Sequence, residues 1–161
     1  MTPVASGTDI GHVHLKVADL ERAIAFYRDV LGFELTQRYG DQAAFLGAGG
    51  YHHHIGLNTW MSKGSQPPPK NATGLFHVAI RYPTRQDLAD ALRRLIANNI
   101  EFDGASDHGV SEALYLRDPD QNGVELYWDK PKDRWPKDAS GNLAMTTDPL
   151  DLDDLLTEPK L

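Results

Sequence analysis

Cysteine is absent from this 161-residue chain. That excludes a disulfide framework, a thiolate zinc site and a cysteine nucleophile, and leaves His, Asp and Glu as the side chains able to hold a metal. Long apolar runs are missing too, since nothing approaches the roughly 18 consecutive apolar residues of a membrane-spanning helix. The opening stretch, Met1 to Thr8, has no basic segment ahead of an apolar one, so a cytoplasmic protein is expected. Basic residues are in the minority, 16 Lys and Arg against 23 Asp and Glu, for a formal net charge of -7. Neither nucleic acid nor an anionic membrane surface is therefore an expected partner.

What the chain does contain is one pattern used twice, its histidines about 65 residues apart. The first copy opens on His12, His14 and Val17 and passes through Asp19 into a helix. There Ala23, Ile24, Phe26, Tyr27, Val30 and Leu31 recur at helical spacing, with Gly32 at the place of a C-cap glycine. The second opens on Phe76, His77 and Ile80 and passes through Pro83 and Thr84 into a helix over 87–98, with Leu88, Ala91, Leu92, Leu95 and Ile96 inward. Strands are predicted after each helix, at 33–39, 43–46 and 52–58 in the first copy and 100–102, 113–117 and 124–128 in the second.

The expected fold class is α+β, with two βαβββ modules forming a curved mixed sheet around a cup. Module one is placed at 9–60 and module two at 74–129, within a single domain spanning 1–161. The linker at 61–73 contains Pro67, Pro68 and Pro69. An extension from 130 to 161 departs from the repeat. In it Asp148 and Pro149 predict the N-cap and first residue of a short acidic helix, read as a packing or dimer element.

Strand side chains alternate between two faces, so parity sorts the polar residues. Val13, Leu15 and Val17 share a face, with His12, His14 and Lys16 opposite. Phe76, Val78 and Ile80 oppose His77, Ala79 and Arg81. Val124, Leu126 and Trp128 oppose Glu125 and Tyr127. By the same count His54 goes with His52, Gly56 and Asn58, while His53 goes with Ile55 and Leu57; Tyr115 goes with Ala113 and Arg117. A solvated sheet face ordinarily carries Lys, Glu, Thr and Arg. Here several strands contribute His, Tyr and Glu instead, which fits a polar cavity better.

These residues resemble the vicinal oxygen chelate superfamily, which includes glyoxalase I, fosfomycin-resistance transferases and extradiol catechol dioxygenases. The resemblance covers roughly residues 9–130. It rests on Gly11-His12 with Asp19 beyond it, Phe26-Tyr27, Val30 to Phe33, Phe76-His77, and Asp118-Pro119-Asp120-Gln121-Asn122-Gly123-Val124-Glu125. It implies His12, His77 and Glu125 as ligands of a divalent metal, Fe(II) for a dioxygenase, with Mn, Ni or Zn as alternatives. The finer match is to the extradiol enzymes. The segment Tyr51 to Asn58 resembles their fourth-strand His-His segment and implies His54 as acid and base. Tyr115, ten residues before Glu125, implies a contact to a substrate oxygen, and His108 resembles a second substrate-side histidine.

The implied activity is ring cleavage of a small aromatic diol by O2, in a homodimer. Two other readings stay open. One is a metal-dependent glyoxalase-like lyase, isomerase or transferase; a carboxylate that glyoxalase I generally carries is replaced here by His54. The other is a ligand-sequestering module related to bleomycin-resistance proteins.

Overall fold

The computed structural model describes residues 2–161. It divides into two compact units, one running to Gln66 and the other from Pro67 to Leu161. Each is built from the same strand-helix-strand-strand-strand order.

In the first unit, β1 (Val13–Lys16) buries Leu15 and leaves His14 and Lys16 exposed. Asp19 then caps α1 (Leu20–Ala25), its carboxylate accepting the backbone N–H of Arg22 at 3.0 Å. The helix loosens into a π-helical turn over Phe26–Val30, where the spacing alone predicts continuous α-helix. Ala23, Ile24, Phe26, Tyr27 and Leu31 are buried, and Gly32, at φ 89°, ends the element. The antiparallel strands β2 (Glu34–Tyr39), β3 (Ala43–Gly47) and β4 (Ile55–Asn58) follow, in sheet order β1-β4-β3-β2. The β1–β4 pair is parallel, with His14 opposite Gly56. The His14 ring covers Gly56 so closely that a Cβ there would stand 2.9 Å from it.

In the second unit, β5 (Val78–Arg81) is shorter than the strand from Leu75 to Tyr82 that the sequence predicts, and Phe76, ahead of it, is 80% exposed. Thr84 and Asp87 form a reciprocal capping box at the start of α2 (Arg85–Ala97). Leu88, Ala89, Ala91, Leu92 and Leu95 are buried beneath it, each leucine contributing about 1.5–3 kcal/mol. Ile96, expected inward, is half exposed. Strands β6 (Phe102–Asp107), β7 (Ser111–Arg117) and β8 (Gly123–Asp129) complete the repeat, with β5 and β8 parallel.

The extension adds β9 (Asp148–Pro149) to the far edge, giving the order β5-β8-β7-β6-β9. The predicted helix starts later than expected. Asp148 and Pro149 pair with Asp107 and Ser106, and Asp151 caps α3 (Leu152–Leu155) instead. Leu155 is fully buried. Arg85 holds this end of the chain through Asp154 at 2.7 Å and Glu158 at 3.0 Å, and also pairs with Glu112 at 2.7 Å. Among the described residues no helix is long and apolar enough to cross a membrane.

Candidate functional site

The β7–β8 turn positions the polar residues of the second unit. Asp118 Oδ1 accepts the N–H groups of Asp120 and Asn122 at 2.9 and 2.8 Å, and its Oδ2 accepts from the Asn122 amide at 2.9 Å. This closes the turn in the register that sets Arg117 opposite Gly123 and so Tyr115 opposite Glu125. Gly123 lies against the chain entering β5: a Cβ there would stand 2.1 Å from the Phe76 carbonyl oxygen. Only glycine permits that approach, which brings His77 beside Glu125.

Four side chains then form one connected row. His77 Nε2 lies 2.9 Å from Glu125 Oε2. The Tyr115 hydroxyl is 3.1 Å from Glu125 Oε1, and His108 Nε2 is 2.7 Å from that hydroxyl. His108 Nδ1 in turn is 2.8 Å from the backbone carbonyl of Thr146, in the extension. Burial, the Glu125 charge and the hydrogen bond to Glu125 push the Tyr115 phenol up to about 12. It is therefore a neutral donor across the whole working range of pH.

The donor set fits a metal. Imidazole and carboxylate are donor types that a divalent ion takes, and His77 Nε2 and Glu125 Oε2 stand 2.9 Å apart. His77 Nδ1 is buried without a hydrogen-bond partner among the described residues, so nothing on the other side of the ring fixes its tautomer. Among the described residues, no three His, Asp or Glu side chains group in a metal-holding arrangement.

The histidines of the first unit sort differently from the parity expectation. The His53 ring packs on His12, centroids 4.5 Å apart, and on Phe45 at 5.0 Å. Phe45 also meets His14, at 5.9 Å, so His14 and His53 share one aromatic side chain and His12 packs on His53. His54, expected on the cavity face, turns toward Tyr51 at 4.7 Å and the buried Phe33 at 6.3 Å, and its Nδ1 accepts the Ala48 N–H at 3.3 Å. The reason is local: β4 begins only at Ile55, so residues 52–54 do not follow strand alternation. Thr36, at a bulge in the β2–β3 ladder, fixes this irregular stretch from outside through its hydroxyl, 2.7 Å from the His52 carbonyl.

Burial first, then the neighbouring His12, His52, His14 and His54, lowers the His53 pKa. The shift favours the neutral form of its imidazole. The sequence signal for His53 was the histidine run itself, which could not say which ring faces His12. Thr146 carried no signal at all, because a backbone carbonyl has none.

The family model described as the Glyoxalase/Bleomycin resistance protein/Dioxygenase superfamily matches residues 9–126. The chain is 42% identical over 158 residues to a catechol-2,3-dioxygenase of Bacillus subtilis (strain 168), covering 98% of this chain and 54% of that protein. It is 35% identical to biphenyl-2,3-diol 1,2-dioxygenase 3 of Rhodococcus globerulus, covering 74% of this chain and 63% of that protein. This chain thus spans roughly half to two thirds of the length of these relatives. Among solved structures, a lactoylglutathione lyase from Agrobacterium tumefaciens superposes with a TM-score of 0.59 at 25% identity, over 77% of this chain and 96% of its own. With the duplicated βαβββ order and the family match over most of its length, the chain belongs to the glyoxalase/bleomycin resistance protein/dioxygenase superfamily.

Proposed function

We propose that this chain is an extradiol dioxygenase that cleaves the ring of a catechol-type aromatic with O2, using Fe(II) held by His12, His77 and Glu125. The observation that carries this reading is the row His77, Glu125, Tyr115, His108, in which an imidazole and a neutral phenol meet one carboxylate. The likeness to two diol dioxygenases supports it. When bound, the iron would take up the diol and O2 and supply the redox chemistry of ring opening. Tyr115, holding its proton, orients one substrate oxygen as a hydrogen-bond donor, and His108 Nε2, 2.7 Å from that hydroxyl, holds the ring in place until substrate takes the proton's direction. His53, beside His12, takes the proton from a diol hydroxyl and returns it later. In this reading His53 assumes the role that the sequence resemblance placed on His54. A homodimer is proposed as the working unit.

The test is anaerobic reconstitution with Fe(II), followed by O2 uptake and the appearance of a yellow ring-fission product across catechol and substituted catechols. Stoichiometric uptake with colour supports the reading. No uptake across the panel, with turnover of a glutathione hemithioacetal under Ni or Zn, would move the assignment to the glyoxalase-like lyase that the fold neighbour favours.

A further inference from the structure

We infer that the C-terminal extension is a working part of the site, because the backbone carbonyl of Thr146 fixes the tautomer of His108 and thereby the direction of the hydrogen bond to Tyr115. The inference rests on the dioxygenase reading for its catalytic consequence. It rests on geometry alone for the tautomer.

A carbonyl oxygen has lone pairs and no hydrogen, so a bond between Thr146 O and His108 Nδ1, 2.8 Å apart, requires Nδ1 to be the donor. A neutral imidazole carries one N–H. Its Nε2 is then bare and must accept, and the group 2.7 Å away is the Tyr115 hydroxyl. That hydroxyl has a single proton and two acceptors within reach, His108 Nε2 at 2.7 Å and Glu125 Oε1 at 3.1 Å. With Nε2 bare, His108 competes for the proton and leaves both Glu125 oxygens as acceptors. With the opposite tautomer, Nε2–H would donate to the phenol oxygen and leave the phenol to donate its hydrogen bond to Glu125. Thr146 therefore selects between a row that frees the carboxylate and one that occupies it.

The extension is tied so that this carbonyl cannot drift. Thr146 N–H donates to the His108 carbonyl at 3.0 Å, so the two residues are bonded twice, once through the backbone and once through the ring. The next residues enter the β6–β9 ladder, Asp148 opposite Asp107. Asp107 accepts the Gly109 N–H at 2.8 Å and the Lys130 ammonium at 2.7 Å, bracing the turn that carries His108. Gly109 sits at φ 74°, and a Cβ on it would stand 2.8 Å from Pro136 Cγ of the extension. The extension is thus seated on both sides of His108. Thr147 Oγ1, at 3.4 Å from Nδ1, is a distant second partner.

The experiment is long-range 1H–15N correlation NMR of the full chain labelled with 15N-histidine, without added iron and at a pH where imidazoles are neutral, with His108 assigned by His108→Gln. The expected result is a His108 protonated at Nδ1 and bare at Nε2. Protonation at Nε2 overturns the inference, and this readout needs no variant of the extension. Thr146→Ala keeps the carbonyl and is expected to leave the tautomer unchanged. Thr146→Pro removes the N–H bonded to the His108 carbonyl and is expected to mix the two tautomers, and a folded Thr146→Pro with an unmixed Nδ1–H form counts against the inference. On catechol, Thr146→Pro should lower kcat about 10-fold or more, the range of a mispositioned acid–base contact, with KM much less affected. A chain with the Nδ1–H tautomer and no reaction with any diol keeps this inference and loses the dioxygenase reading, so the two failures are separable.

Discussion

Tyr115 and Glu125 are direct partners across the β7–β8 ladder, and the hydroxyl of one stands 3.1 Å from the carboxylate of the other. Both lie on the face opposite Leu114, Leu116, Val124 and Leu126, which are buried. The phenol is therefore held up to about 12 by its burial and by the carboxylate beside it, and it keeps its proton at neutral pH. Tyr115→Phe removes that donor and little else. Turnover of catechol is expected to fall about 100-fold, the cost of one donor to a developing charge, with stability changed by less than about 1 kcal/mol. Steady-state kinetics beside a urea melt checks both halves; wild-type turnover in a folded variant would remove Tyr115 from the chemistry.

Glu125→Gln tests the metal assignment separately from turnover. The amide keeps the size of the side chain but loses the charge that a divalent ion needs, so affinity for Fe(II) or Zn(II) is expected to fall by about 100-fold or more. Isothermal titration of the metal-free chain measures it. Equal affinity in the variant would exclude Glu125 as a ligand.

The two adjacent histidines separate by substitution. His53 packs on His12, whereas His54 contacts Tyr51, Phe33 and the Ala48 N–H. His53→Ala is expected to lower kcat about 100-fold or more with the fold retained. His54→Ala is expected to keep turnover within a few-fold and to lose about 1 kcal/mol of stability with its hydrogen bond. The reverse pattern would restore the role to His54.

That pair also shows where the sequence stops being legible. Helix starts at Asp19 and Thr84 announce themselves, because a capping side chain must precede an apolar run, and the Asp118 turn fixes the pairing of Tyr115 with Glu125 by counting. Alternation works only inside a strand. Three consecutive histidines outside one carry no facing information, since their directions depend on Thr36 holding the His52 carbonyl from another strand. Phe76 misled in the same way, lying ahead of β5 and not within it. Asp148 and Pro149 read locally as a helix start, and the long-range ladder to Ser106 and Asp107 overrode that preference.

The Asp107–Lys130 pair predicts a pH dependence. Partial burial works against the Asp107 charge, but Lys130 at 2.7 Å and the Gly109 N–H hold its carboxyl below the ordinary range. A carboxylate whose pKa is depressed on folding contributes stability that is complete above its unfolded value, about 3.9. That contribution is lost as pH falls through the lower folded value. Lys130→Met is therefore expected to cost about 1 kcal/mol at pH 7, a modest figure because the pair is partly solvated. The difference from wild type should shrink toward zero at about pH 2. Urea denaturation of both proteins at the two pH values decides it, and a pH-independent gap would assign the loss to packing of the lysine stem.

The docking of the extension sets an apolar contact against ion pairs. Leu155 is fully buried, while Asp154, one of the carboxylates on Arg85, has a side chain 61% exposed. Three carboxylates raise the Arg85 pKa although burial opposes its charge, yet a half-solvated pair is worth little to stability. Leu155→Ala empties a filled position and is expected to cost about 2–5 kcal/mol, against less than about 0.5 kcal/mol for Asp154→Asn. Because β9 and α3 belong to one short segment, Leu155→Ala should also speed amide exchange at Thr146, whose N–H is bonded to the His108 carbonyl. If Asp154→Asn loosens Thr146 more than Leu155→Ala does, the extension is held by charge rather than by its buried leucine.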